Sequence, residues 1–204
     1  MPDKYRLHYF DGTALGEPIR YLLAYGKCNW EDVRYKCKVD DGNMIKAPFG
    51  QLPILEINGK KFVQSTAISR YLGSLLGLSG ADPLDNLAID TAVDTFHDIR
   101  AQIASWYYDP NPESRAAKTK PLMTVQIPFY FKKLDELVQS NGGYVANGKL
   151  SWGDLYIAGP IKYLNFLVGF DLLQPYPHLH KLVKEVEAIP HIAEYIAGKP
   201  HDLW

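Results

Sequence analysis

The dipeptide Asn58-Gly59 constrains this chain more than any other feature. Both residue types accept the positive φ that a tight two-residue turn demands, so the segments on either side must run antiparallel. Ile54 to Ile57 and Lys60 to Val63 are therefore expected to pair as strands. The unit is punctuated at both ends. Pro48-Phe49-Gly50-Gln51-Leu52-Pro53 interrupts the chain before it. Gln64-Ser65-Thr66 follows it, ahead of Ala67, Ile68, Tyr71 and Leu72, so Ser65 is the expected N-cap of a helix.

Upstream, Tyr5, Leu7 and Tyr9 alternate with Lys4, Arg6 and His8, which is strand period. Asp11-Gly12-Thr13 is a turn cluster. Leu15-Gly16-Glu17-Pro18 opens a helix through Ile19, Leu22 and Leu23, because proline is tolerated only in a first turn. Gly26 marks its stop, a second strand is expected from Trp30 to Lys36, and Val39 to Lys46 reads as loop or irregular helix. The order β-α-β, loop, β-hairpin, α implies an α/β domain on a mixed four-stranded sheet, assigned to residues 1–78.

Ser79-Gly80-Ala81-Asp82-Pro83 reads as a linker, residues 79–83. Beyond it no strand pattern is visible. Leu84, Ala88, Ala92, Phe96, Ile99 and Ile103 keep helical spacing, as do Leu122, Val125, Phe129, Leu134, Leu137 and Val138. Ser151-Trp152-Gly153-Asp154 is a capping-box variant that starts another helix. Leu179, Leu182, Val183 and Val186 make a further one, and Pro190 begins a last helix that stops near Gly198. Residues 84–204 are thus expected to form an all-α helical-bundle domain.

Several function classes are disfavoured. The 22 basic and 23 acidic residues leave a net charge of −1, without the basic excess of a nucleic-acid binder. No apolar run reaches the roughly 18 residues of a membrane span. Met-Pro-Asp-Lys lacks the order of a secretion signal, and Cys28 and Cys37 form no C-x-x-C pair, so inert thiols in a reducing cytoplasm are expected. His178 and His180 lack further ligands in range, and no metal site is expected. Nucleotide-binding glycine loops and the G-x-S-x-G elbow do not occur.

The stretch from Pro48 to Ser65 carries chemistry. Proline between a loop and a strand, as in Leu52-Pro53-Ile54, is a candidate cis peptide. Such a bend can leave the main chain of Leu52 free to pair with an extended peptide, as in strand addition. Twelve residues on, Gln64-Ser65 sits at a helix start, whose open N–H groups attract a carboxylate. The pair would hold a small acidic peptide. An ordinary hairpin followed by an ordinary helix start is the plainer alternative.

The strings Pro-Phe-Gly-Gln-Leu-Pro-Ile-Leu-Glu and Gln-Ser-Thr-Ala-Ile-Ser-Arg-Tyr-Leu-Gly resemble the glutathione-site signature of cytosolic glutathione transferases. Leu7-His8-Tyr9-Phe10, Val93-Asp94-Thr95 with Asp98, and Leu150 to Tyr156 resemble the sigma class, in its invertebrate form and its relative haematopoietic prostaglandin D synthase. The resemblance spans essentially the whole chain. It implies a thioredoxin-like first domain, glutathione as substrate or cofactor, and a homodimer. Tyr9 matches the catalytic tyrosine, whose hydroxyl steadies the thiolate of glutathione. Leu52, beside Pro53, would pair with the cysteinyl part, and Gln64 and Ser65 would take the γ-glutamyl carboxylate. Asp98 matches an acid that serves the site of the partner subunit. Asp90, Asp94 and Asp98 share a helix face, and Arg70 is a candidate cation for the neighbour's stripe.

The resemblance departs in the loop before Pro48, where related enzymes carry Trp and Lys and this chain has Asp40 and Met44. Lys46 and Gln51 are the candidates to replace them. The electrophile is expected beside Tyr9, among Phe10, Leu15, Trp106, Tyr107, Tyr156 and Leu203. The implied activity is conjugation of glutathione to hydrophobic electrophiles, extending to peroxidase action on lipid hydroperoxides. A glutathione-dependent prostaglandin D isomerase and a non-catalytic, crystallin-like protein are the alternatives.

Overall fold

The computed structural model describes residues 4–36 and 47–199. Four strands form one mixed sheet in the order β2-β1-β3-β4. β1 (Tyr5–Phe10) runs parallel to β2 (Trp30–Tyr35) and antiparallel to β3 (Ile54–Ile57), and β4 (Lys60–Val63) folds back on β3. Asn58 and Gly59 both hold positive φ, as their turn requires. A parallel pair needs a crossover, which α1 (Glu17–Tyr25) provides. α2 (Ser65–Leu75) follows the hairpin. Leu7 and Leu55 from the sheet bury with Ile19, Leu22 and Leu23 of α1 and Ile68 and Leu72 of α2. This is the expected thioredoxin-like α/β arrangement.

The helix starts one residue earlier than expected: Gln64 occupies the N-cap, with φ 74° and ψ 101°, and Ser65 is the first helical residue. The Ser65 hydroxyl caps nothing because it lies against another side chain, described below.

The remainder is helical: α3 (Pro83–Tyr107), α4 (Pro112–Pro121), α5 (Ile127–Ser140), α6 (Trp152–Ala158), α7 (Ile161–Val168), α8 (Pro177–Glu187) and α9 (Pro190–Gly198). Two apolar stripes differ from expectation. The buried face of α3 runs through Ile89, Ala92, Val93, Phe96, Ile99 and Ile103, while Leu84 and Ala88 are exposed. A π-turn at Leu122–Gln126 separates α4 from α5. Its extra residue resets the helical phase, so Ile127, Phe131, Leu134 and Val138 face inward and Val125 and Phe129 face solvent. The two parts meet where α2 packs on α6. A Cβ on Gly73 would overlap the fully buried Trp152, so only glycine permits that approach. Among the described residues no helix is long and apolar enough to cross a membrane.

The capping box at Ser151 forms as its sequence predicts. The Asp154 carboxylate accepts from the Ser151 N–H at 2.7 Å, the Ser151 hydroxyl at 2.8 Å and the Val145 N–H at 2.8 Å. Asp154 is fully buried, and burial pushes its carboxyl up to about 6 against the pull of those donors. Asp154→Ala would strand three buried donors. We expect it to lower stability by about 2–4 kcal/mol, read from urea or thermal unfolding. A loss under about 1 kcal/mol would mean that water can take over the carboxylate's place.

Candidate active site

Three neighbouring strands end together. In the sheet His8 lies opposite Ile54, and Ile54 opposite Val63. One step further along that register come Tyr9, Pro53 and Gln64. Strand spacing of roughly 4.8 Å then separates the Tyr9 and Gln64 main chains by about 10 Å, the reach of about three extended residues.

Tyr9 is held from several sides. A Cβ on Gly16 would overlap its ring, so the turn Ala14–Gly16 can lie flat against it. The Leu15 N–H donates to the Tyr9 hydroxyl oxygen at 3.1 Å. Phe10 meets the ring edge-on at 5.4 Å, and the Arg20 guanidinium lies 5.7 Å from its centroid. The residue is only 6% exposed, and burial pushes the phenol up to about 12, partly countered by the Leu15 N–H and the charges of Arg20 and Arg100. Tyr9 is therefore a neutral phenol at physiological pH. Its oxygen accepts a main-chain N–H, and its own proton has no acceptor among the described residues.

Beneath the site a buried ionic network fixes the loop after β1. Arg20 has no exposed side-chain surface; it donates to the carbonyls of Gly12 at 2.6 Å and Phe10 at 3.2 Å. Its guanidinium also pairs with Glu17 at 3.1 Å and Asp32 at 3.1 Å. Glu17 in turn holds Lys199 at 2.7 Å and the Tyr195 hydroxyl at 3.1 Å, which ties α1 to α9.

Next to Tyr9, the Leu52–Pro53 bond is cis. The N–H and C=O of Leu52 take no main-chain partner among the described residues. Gln64 donates its amide to the Gln51 side chain at 3.2 Å, which brings those two residues together. The positive φ of Gln64 is a strained state for a residue with a Cβ, of the kind found at ligand clamps. The first-turn N–H groups of α2 open toward the same sheet end.

Tyr156 does not border an open pocket: it is fully buried, and its hydroxyl lies 3.1 Å from the Ser65 hydroxyl, 3.0 Å from Thr66 and 3.4 Å from His97. Ser65 accordingly has its hydroxyl turned to α6, leaving its N–H as the group facing the sheet end. Trp106 packs toward α4, where its indole donates to Thr119 at 2.9 Å and Arg115 covers its ring. Arg70 pairs with Asp90 of the same chain at 2.9 Å and stacks on Trp152. Asp98 is exposed on α3, Tyr107 is half-buried beside Phe166, and Leu15 is half-buried. Cys37, Asp40, Met44, Lys46 and Leu203 lie outside the described residues.

Sequence reasoning overlooked three residues near Tyr9. Arg100 on α3 and Tyr108 just past it act electrostatically on the Tyr9 phenol, and Tyr9 acts on Tyr163 of α7. Tyr163 donates to Tyr108 at 2.9 Å. α7 packs against both the Ala14–Gly16 turn and α3, so its position follows from tertiary packing alone. Among the described residues no three His, Cys, Asp or Glu side chains are grouped to hold a metal ion.

The arrangement suits a short acidic peptide laid in extended form, with one neutral hydroxyl ready to donate to an anion. Comparison with known proteins agrees. Residues 5–74 match the model for the N-terminal domain of glutathione S-transferase, and residues 97–199 the model for its C-terminal domain. A glutathione S-transferase of Anopheles gambiae is 42% identical over 98% of both chains. The hematopoietic prostaglandin D synthase of Rattus norvegicus is 34% identical over 98% of both. A solved prostaglandin synthase D of Nilaparvata lugens superposes with a TM-score of 0.92 at 38% identity, covering 97% of this chain and 99% of that one. Matched in both halves and along its whole length, the chain belongs to the glutathione S-transferase family, in its sigma-like class.

Proposed function

We propose that this glutathione transferase joins the thiol of glutathione to hydrophobic electrophiles, lipid hydroperoxides among them, with Tyr9 as the residue that steadies the thiolate. The observation that carries the reading is the neutral Tyr9 hydroxyl, held by the Leu15 N–H and with its proton free for an anion. The Leu52 main chain pairs with the cysteinyl unit. The start of α2, through Gln64 and the Ser65 N–H, takes the γ-glutamyl carboxylate, and Gln51 orients Gln64. Lys46, outside the described residues, and Gln51 serve the glycyl end. Phe10, Leu15 and Tyr107 flank the electrophile. Turnover of 1-chloro-2,4-dinitrobenzene with glutathione tests the reading; a wild-type rate no higher than the solution reaction would sink it.

Tyr156 supports the clamp from behind. Tyr156→Phe would release Ser65 and Thr66 from the hydroxyl they share. We expect KM for glutathione to rise roughly 2- to 10-fold, with kcat within about twofold of wild type. Steady-state kinetics with varied glutathione would check this, and an unchanged KM would remove Tyr156 from the clamp.

A second reading, isomerisation of prostaglandin H to prostaglandin D, is favoured by the likeness to the prostaglandin synthase D of Nilaparvata lugens. It needs the same thiolate, and assay of that conversion separates it from conjugation.

The dimer belongs to the same proposal. On α3, Leu84, Leu87, Thr91, Asp94 and Asp98 form one exposed stripe with apolar residues at one end. Phe62, Tyr71 and Leu75 are also exposed, the first two around a hollow of about 480 Å³ between β4 and α2. Pairing of two copies through these surfaces carries Asp98 of one protomer toward its partner's site. A monomeric mass at micromolar concentration would defeat this. The reading divides the chain at residues 79–83, supported by family matches that fall on either side. It places the protein in the cytoplasm, supported by the free thiol of Cys28, and fractionation of cells tests that.

A further inference from the structure

A chain of hydrogen bonds runs from the start of α2, through α6, to the middle of α3. Its centre is Tyr156 on α6. The Tyr156 hydroxyl lies 3.1 Å from Ser65 and 3.0 Å from Thr66, both in the first turn of α2, and 3.4 Å from His97 Nδ1 on α3. Ser65 and Tyr156 are buried, and His97 is half-buried. On its far side His97 Nε2 faces Arg100 Nη2 at 3.4 Å. Thr66 donates to Tyr156. Serine, tyrosine and histidine can each give or take a proton, so the direction of the chain turns on which His97 nitrogen carries the hydrogen.

Arg100 fixes that choice. A guanidinium has donors only, so Nε2 must be the accepting nitrogen of His97. Burial lowers the pKa of the ring, as does the Arg100 charge beside it, against the pull of Asp94 and Asp98 on the same helix. The ring is therefore neutral at physiological pH, and its one hydrogen sits on Nδ1. Nδ1–H donates to the Tyr156 oxygen, which also accepts from Thr66. With both lone pairs engaged, Tyr156 sends its own proton to Ser65. Ser65 is thus an acceptor in this chain. Its own hydroxyl proton has no acceptor among the described residues.

We propose that His97 is a positioning residue for glutathione: acting through Tyr156, it keeps the Ser65 hydroxyl proton free for the carboxylate of the γ-glutamyl unit. The inference rests on the reading of the α2 start as the seat of that carboxylate. A carboxylate on the Ser65 N–H lies beside the hydroxyl of the same residue and gains a second donor there. If His97 did not donate to Tyr156, the phenol oxygen would be open to accept from Ser65, and the second donor would be lost to the ligand. His97 takes no part in bond making, and no proton in the chain changes its heavy atom. The device is a matter of direction, set from α3 and read out at α2.

The test compares glutathione with 4-aminobutyryl-cysteinyl-glycine, which lacks only that carboxylate. Binding of each is measured by calorimetry for wild type, His97→Leu and His97→Asn. Leucine leaves no donor beside Tyr156, whereas the asparagine amide can stand in for Nδ1–H. The preference for glutathione over the analogue is expected to fall roughly 3- to 10-fold in His97→Leu and to stay within about twofold of wild type in His97→Asn. In conjugation assays the loss in His97→Leu should fall on KM for glutathione and not on kcat. A preference that His97→Leu leaves unchanged overturns the proposal, even where both ligands bind more weakly, because His97 would then serve packing alone. A loss that His97→Asn fails to recover also overturns it. If wild type binds glutathione no more tightly than the analogue, the α2 start is not the seat of the carboxylate, and the proposal falls with that reading. Circular dichroism and thermal unfolding confirm that each variant compared is folded.

Discussion

Tyr9→Phe is expected to lower kcat/KM for conjugation by roughly 10- to 100-fold while the protein stays folded. A free thiol has a pKa of about 8.5, so little of it is thiolate at neutral pH. Lowering that value by about two units takes roughly 2.7 kcal/mol of preferential stabilisation of the anion. A hydrogen bond to a charged acceptor contributes about 1.5–3 kcal/mol, so a single phenolic donor can supply most of it. Tyr9 meets the conditions for such a donor. Its phenol is pushed up to about 12 by burial, so it keeps its proton throughout an ordinary assay range. The acid limb of the pH–rate profile must then report ionisation of the bound thiol and not of Tyr9. In Tyr9→Phe that limb should move upward by about 1–2 pH units, toward the free thiol. The same substitution leaves the Leu15 N–H without its acceptor, at about 1 kcal/mol of stability. Turnover that does not change, or a limb that stays in place, would remove Tyr9 as the activator.

Arg20→Met should be the most damaging substitution to the fold. The guanidinium is fully buried and compensated by Glu17 and Asp32, with two carbonyls of the loop after β1 completing its donors. Removing one partner of a buried pair leaves the other charge uncompensated, at about 3–5 kcal/mol. For a chain of this size each kcal/mol shifts the melting temperature by about 2–4 °C, so a fall on the order of 10 °C is expected by calorimetry. Arg20→Lys should recover only part of it, because one ammonium cannot span two carboxylates and two carbonyls at once. A shift under about 2 °C would show that Glu17 is held well enough by Lys199 and Tyr195 alone. Activity of Arg20→Met should also fall, since the loop it holds leads from Tyr9 to the Leu15 N–H.

Local signals carried much of the fold. The hairpin at Asn58-Gly59, the cis proline, the helix after Gln64 and the capping box at Ser151 each depend on residues within a few positions of one another. Chain chemistry settles such features before any long-range contact forms. Phase was less legible. Val125 and Phe129 face solvent because a π-turn resets the helical period, and nothing in the local composition announces that turn. An aromatic beside a site and an aromatic behind it look alike in a string. Only burial tells them apart, and Tyr156 is buried with its hydroxyl held by α2.

The amino-acid order by itself determined the element sequence, the mixed sheet with its helical second half, and the cis proline and helix start between Gln51 and Ser65, because turns, caps and strand alternation are short-range properties of the backbone. The tertiary structure alone decided that Arg20 is fully paired while Arg100 has no carboxylate partner among the described residues, and that Tyr163 comes near Tyr9. Those facts depend on how α3 and α7 pack against the end of β1, and a charged or aromatic residue takes its energy from its surroundings and not from its neighbours in the chain.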